Sequence, residues 1–481
     1  MGSKSSNIGE TSLDHDWTSI DKDKDIVVQE LEISIIAKLN GDSPMSRTSC
    51  IFRVPQVLRR QNRKVYQPDV IAIGPLHDRS SKQFQHMENV KRWYLHRILN
   101  SGRNISLKML IEAILKVEKR ARDSYAEPLD HINQNDFVEM MIMDGCFLVQ
   151  LFRKAYYNMH DRNDPIYSMK HNSEYASTIT DESDHELGIS HDLVFNLNCP
   201  FQYLCHDLLL LENQLPWFVI KCLYSILVAD KYPVKFSLKS LVLSVFSSLP
   251  VLRHPQIYRF QCEMDQRKIL HILDLIRTSL IYEFKDYDDD QFSSCLPDKQ
   301  LMPCATTLAQ AGVQFSNMDY SIMNITFRDK VFIIPQIAIG ESTESLFRNL
   351  IAFEQCYPGH SHMVTSYVVF MDQLIASSKD MDFLSEKRII ANWRGSDDSF
   401  QFFNKLHEGT SLKKFHYHGI CAKVNEYYAK DKWLNTIMRE FSTVEKLKRD
   451  YLSNPWKVIS VIAASILLSL TVVQTVYTVY H

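Results

Sequence analysis

Apolar residues recur three and four positions apart along most of this chain, and that period predicts a mainly α-helical protein. In DIVVQELEISIIAKLN, Val28, Leu31, Ile35 and Leu39 share one face of a first amphipathic helix. Residues 1–23 before it are polar and read as a mobile N-terminal segment. Asn40-Gly41 and Ser43-Pro44 mark a stop. From Cys50 to His77, three prolines and a glycine predict short extended pieces and turns, with VIAIG (Val70 to Gly74) as a brief strand. Helical spacing returns from Phe84 to Leu99, with Phe84, Met87, Val90 and Tyr94 inward, and again over Leu107 to Ala121 and Phe137 to Tyr156.

Residues 158–190 are rich in Asp, His, Ser, Asn and Thr, which predicts a mobile loop. The run CHDLLLLENQLPWFVIKCLYSILV is apolar almost all round and reads as a buried central helix broken near Pro216. Its polar residues Asp207, Glu212, Asn213 and Lys221 favour burial in protein over burial in lipid. A helix is expected from Gln266 to Tyr282, and DYDDD (Asp286 to Asp290) reads as an acidic surface loop. AGVQF, NITF and KVFIIPQIAI alternate and carry β-branched residues, predicting a small inserted antiparallel sheet. Helices resume over Glu344 to Tyr357, Ser366 to Ser377 and Asp431 to Asp450.

The run Val458 to Tyr480 has no charge and only Gln474 as a strongly polar side chain, and about 20 apolar residues suffice to cross a bilayer. It predicts one C-terminal transmembrane helix, with Trp456, Tyr477 and Tyr480 at its boundaries. Lys446, Lys448, Arg449 and Lys457 precede this run and no signal peptide is visible, so the expectation is a tail-anchored protein whose domain, residues 24–450, lies in the cytosol. Gly2 with Ser6 matches an N-myristoylation pattern. Small residues four apart, Ser460 with Ala464 and Ser465 with Ser469, suggest homo-oligomerisation through the anchor.

Composition changes this picture little. Fifty-four basic residues against 57 acidic ones give a net charge of -3, which disfavours nucleic acid as a partner. The ten cysteines stand singly, without a C-x-x-C pair, and read as reduced, mostly buried residues. Phosphate loops, dinucleotide fingerprints, H-E-x-x-H and nucleophile elbows are absent, so no catalytic, cofactor or metal residue is assigned. His360-x-His362 and His416-x-His418 have strand spacing but no neighbouring Cys or carboxylate to complete a metal site. Adjacent positions in a helix point about 100° apart, which argues against Cys205 and His206 as a nucleophile and base.

Several blocks stand in a fixed order: RVP-x-x-L-R-x-x-N-x-x-x-Y-x-P (Arg53 to Pro68), IGPLH (Ile73 to His77), Met87-Glu88 with Lys91, and MDGCFL (Met143 to Leu148). DLLLLENQLPWFV (Asp207 to Val219), ATTLAQAGVQF (Ala305 to Phe315), ESLFRNLIAFEQC (Glu344 to Cys356) and YVVFMDQLI (Tyr367 to Ile375) follow. Together they resemble the plant family called domain of unknown function 247 over roughly residues 28–475. The resemblance implies a land-plant protein, mostly helical with a C-terminal transmembrane helix, and brings no catalytic residues. Some grass members resemble pollen-side determinants of self-incompatibility, which implies recognition of a partner protein.

Within these blocks, Arg53, Asn62 and Tyr66 are expected to hydrogen-bond loop backbone, and Glu212, Asn213 and Gln214 to do the same and to meet Arg53 or Arg348. Arg53, Arg59, Arg60, Arg63 and Lys64 are the candidate basic face for an acidic protein partner or anionic lipid. The favoured function is a membrane-anchored recognition or signalling protein, and the alternative is a membrane-bound enzyme of unrecognised chemistry. Asn104 and Asn324 lie in N-x-[ST] sequons and would carry glycans only in the secretory lumen.

Overall fold

Helices form where the sequence sets apolar residues on one face, and they pack into a continuous core. The computed structural model describes residues 17–39, 46–101, 104–161, 201–228, 237–247, 249–252, 268–282, 302–318, 321–392, 401–430 and 455–480. The loops expected at 158–190 and Asp286 to Asp290, the helix at Asp431 to Asp450 and the Gly2 motif fall wholly or almost wholly outside these residues.

The helices begin with α1 (Trp17–Leu39), α2 (Gln56–Arg59), α3 (Lys82–Leu99), α4 (Leu107–Leu115), α5 (Glu118–Arg122) and α6 (Gln134–Asp161). Helix α6 is the hub. Every residue from Met141 to Val149 is buried, because α3, α4, α8 (Trp217–Val228) and α9 (Leu238–Phe246) surround it. Phe84, Met87, Val90 and Tyr94 all face inward from α3 as expected, and Tyr94 meets Phe147 edge-on at 5.5 Å. The helix expected over Leu107 to Ala121 breaks at Lys116 and Val117 and restarts as α5.

Beyond α7 (Phe201–Asp207) and α10 (Ile272–Ile281), a second group of elements is built on α12 (Glu341–Cys356), α13 (Met363–Leu374) and α15 (Phe402–His407). Phe347 stacks on Tyr367 between α12 and α13. Helix α11 (Ala305–Gln310) packs on α14 (Ser378–Glu386), and helical backbone over 418–430 follows α15.

The small sheet is mixed, which corrects the antiparallel expectation. Strand β3 (Val331–Ile333) lies between β1 (Gln314–Ser316), parallel to it, and β2 (Thr326–Arg328), antiparallel to it. The tight β2–β3 turn places Asp329 and Lys330 at φ 50° and 66°, the conformation a two-residue hairpin turn demands. Strand β4 (Ile337–Ile339) pairs in parallel with β5 (Ile390–Asn392), and the chain between them runs through α12, α13 and α14, the crossover that parallel pairing needs.

Two further expectations are corrected by the same segment. The predicted central helix ends at Asp207, and residues 208–216 form a buried non-helical loop before α8 starts at Trp217. VIAIG is no strand, because the amides of Val70, Ile71 and Ile73 bond the Asp207 and Asn213 side chains instead of a neighbouring strand.

The C-terminal transmembrane expectation is also overturned. The last helix, Pro455–Tyr480, exists, yet no helix among the described residues is long and apolar enough to cross a membrane. Residues 462–478 include Ser465, Ser469, Thr471, Gln474, Thr475 and Thr478, which dilute the hydrophobicity that a roughly 20-residue span requires. A single-pass anchor, and the tail-anchored cytosolic placement built on it, are therefore not supported. On α1, Val28, Leu31, Ile35 and Leu39 are all exposed, so the predicted helix forms without burying its apolar face in the core.

Candidate partner-binding face and its polar support

The loop after α7 is held by its own side chains. Ser, Asp and Asn side chains compete with helical hydrogen bonds by offering local alternatives. Asp207 accepts from the backbone N–H groups of Asp69, Val70 and Ile71 at 2.7–2.9 Å. Asn213 accepts from Ile73 N–H at 2.6 Å and donates to the Ile71 and Asp207 carbonyls. Gln214 donates to the Leu208 and Leu210 carbonyls and accepts from Leu273 N–H, while its own carbonyl accepts from Tyr125 Oη. From α12, Asn349 accepts from Leu211 N–H. These side chains form a polar clasp that joins residues 69–73, α10 and α12 through an otherwise apolar loop. Gly74 completes the fit: its φ is 72°, and a Cβ there would stand 2.8 Å from the Gln214 carbonyl oxygen.

Glu212 extends the clasp to the candidate basic face. It accepts from Val54 N–H at 2.7 Å, pairs with Arg59, and lies 3.6 Å from Arg53, which also pairs with Glu127 at 2.7 Å. The expected meeting of Glu212 with Arg53 therefore occurs, whereas Arg348 pairs with Glu344 and bonds Gln61. Asn62 bonds the Glu344 carboxylate rather than backbone. The turn over Lys64–Tyr66 is fixed to α12 by Ser345 and Asn349, both donating to the Val65 carbonyl. Of the five predicted basic residues, Arg59 turns inward and Arg53 is shared between two carboxylates. Arg60, Arg63 and Lys64 remain exposed, and so does the apolar side chain of Val57.

Sequence reasoning missed a second buried charge network. Asp144, fully buried in α6, pairs with Arg79 at 2.7 Å and Lys91 at 2.8 Å and accepts from Gly74 N–H at 2.8 Å. Burial alone would raise its pKa, but Arg79 and Lys91 override that and hold it below the usual carboxylate range. The signal was a lone carboxylate in the apolar run MDGCFL. Arg277 and Glu354 form another buried pair at 2.8 Å, and Glu354 also accepts from Val364 and Thr365 N–H.

Cys50, His271 and Asp274 come together, but not as a nucleophilic triad. His271 Nε2 donates to the Cys50 carbonyl at 3.1 Å, and burial pushes the Cys50 thiol up to about 12. His271 Nδ1 accepts from Asp274 N–H, so the neutral imidazole fits its site, and burial lowers its pKa to about 4. The unfolded chain, with His near 6.5, then binds more protons than the folded one between pH 6.5 and 4. This contribution to stability is full above pH 6.5 and is lost on acidification, with a slope approaching about 1.4 kcal/mol per pH unit. Denaturant unfolding across this window is expected to show His271→Asn, which keeps a capping acceptor but cannot titrate, with a flatter profile than the parent. An unchanged profile would sink the assignment.

Neither predicted histidine pair lies on a strand. His360 bonds Asp274 at 3.0 Å, His362 is buried at the start of α13, and His416 and His418 flank buried Tyr417. Cys205 is buried, with its thiol pushed up to about 12 by burial, and its neighbour His206 stands 3.1 Å from Asp207. Asn104 is exposed and Asn324 is half-buried.

Comparison with known proteins finds one family over most of the chain. The profile of the DUF247 family, described as "Plant protein of unknown function", matches residues 51–470. Two Arabidopsis thaliana proteins are similar over nearly the whole length. UPF0481 protein At3g47200 is 28% identical over 459 residues, covering 90% of this chain and 87% of its own. Putative UPF0481 protein At3g02645 is 23% identical over 513 residues, covering 93% of each. No solved structure matches the chain.

Proposed function

Because the chain belongs to the DUF247 family of plant proteins, for which no specific function is established, we propose its role from its own surface: it is a protein-recognition component that docks an acidic partner on the rim of Arg60, Arg63 and Lys64. The observation that carries this reading is the division of labour in one basic block. Glu212 and Glu127 neutralise Arg53 and Arg59 and anchor the loop, while the next three cations are exposed to solvent. Like charges carried on a turn whose backbone is held by Ser345 and Asn349 favour association with an acidic partner by electrostatic steering.

The test is selection of displayed peptides on the full chain, followed by affinity measurement. Selected peptides are expected to be enriched in Asp and Glu and to bind more weakly as ionic strength rises. Arg60→Glu, Arg63→Glu and Lys64→Glu combined should weaken binding at least ten-fold while leaving the unfolding midpoint nearly unchanged, as exposed substitutions do. Peptides without acidic enrichment, or equal binding by the triple variant, would refute the reading.

A further inference from the structure

We propose that Asp69, His206 and Asp207 bind a divalent transition-metal ion of the Zn2+ class. Each residue offers one ligand atom, and these atoms all lie within 4.8 Å of one another. His206 Nδ1 is 3.1 Å from Asp207 Oδ1 and 3.9 Å from Asp69 Oδ2. A tetrahedral ion with bonds of about 2.1 Å holds its ligand atoms about 3.4 Å apart, a value between these two separations. The half-buried His206 ring would move slightly away from Asp207, and the exposed Asp69 side chain would close in on both.

The donor set selects the ion. One imidazole and two carboxylates suit Zn2+ or Mn2+ better than Ca2+, which takes six to eight oxygens. Three protein ligands leave a position for water, and the exposure of Asp69 opens the site to solvent.

The surroundings are those of a preorganised ligand rather than of a mobile surface pair. Asp207 is fully buried, and the amides of Asp69, Val70 and Ile71 fix both of its oxygens. Hydrogen bonds of this kind orient ligating carboxylates in metal sites. Gln83 Nε2 donates to the Pro68 and Asp69 carbonyls at 3.0 and 2.7 Å and holds the second ligand's backbone. The His206 Nδ1–H that points to Asp207 in the free protein gives way to the ion, the imidazole proton moving to Nε2. Bound metal would tie the end of α7 to residues 68–71 and so pin the clasp from outside. The inference is independent of the acidic-partner reading.

Full-length protein stripped with a chelator and titrated with Zn2+ alone is expected to bind one equivalent and to melt at a higher temperature. Co2+ in its place should give the intense visible bands of a four-coordinate site. Asp69→Asn and His206→Ala, both outside the core, should each weaken binding at least ten-fold and abolish the melting shift while leaving the circular dichroism spectrum unchanged. Saturable binding that survives both substitutions would assign the ion to other histidines and overturn the proposal. Absence of saturable binding, or a Co2+ spectrum like that of the hydrated ion, would overturn it as well. Should His206→Ala fail to fold, Asp69→Asn at the exposed ligand decides by the same Co2+ titration.

Discussion

Asp144→Ala is expected to lower folding stability by about 4 kcal/mol, the largest loss of any single substitution considered, because it removes one partner of a buried ion network. Lys91 is wholly buried and would keep only Glu88 and the Ala72 carbonyl. Arg79 would keep Glu88, and Gly74 N–H would lose its acceptor where the positive φ and the close Gln214 carbonyl already constrain the chain. Asp144→Asn keeps the shape and one acceptor and should fall between the parent and the alanine variant. Urea unfolding monitored by circular dichroism gives the comparison. A loss under 1 kcal/mol for the alanine variant would mean that water enters and replaces the carboxylate.

The second large effect is expected at Asn213. Replacement by Ala strands Ile73 N–H and the carbonyls of Ile71 and Asp207. An unsatisfied buried polar group costs about 1–3 kcal/mol, so the sum reaches 3 kcal/mol or more. Asn213→Asp separates hydrogen bonding from volume. It retains the acceptor for Ile73 N–H but sets a carboxylate oxygen against two carbonyls, and should be as damaging as Ala. If Asp is tolerated and Ala is not, the side chain matters for packing and the clasp is misassigned. Gln83→Ala, which loses two bonds at the surface, serves as a mild control.

The contrast between these sites and the surface shows what the amino-acid order makes visible. The inward faces of α3 and α12 follow from residue spacing, because a helix's geometry is local. The clasp does not. Leu208 to Leu211 is equally compatible with a buried helix, and only the carboxamide and carboxylate side chains around it decide for a loop, through partners about 140 residues away. Glu212 was legible as a partner for Arg53, since a buried carboxylate needs a cation. That it would also draw in Arg59, leaving Arg60, Arg63 and Lys64 outward, depended on the turn after Pro55. The C-terminal run misled for a different reason. Length, freedom from charge and boundary aromatics do not suffice for a span, because the Ser and Thr hydroxyls, bonded to carbonyls four residues back, reduce hydrophobicity without adding any charge.

The clasp also sets an order for synthesis on the ribosome. Residues 69–73 emerge first, but the carboxylate and carboxamide that satisfy their amides follow 136–142 residues later. At about 5–20 residues per second, translation leaves that early segment waiting for about 7 to 28 seconds. During this interval Ile71, Ile73 and their apolar neighbours are exposed on a nascent chain that cannot yet close, so chaperone occupancy should be concentrated there.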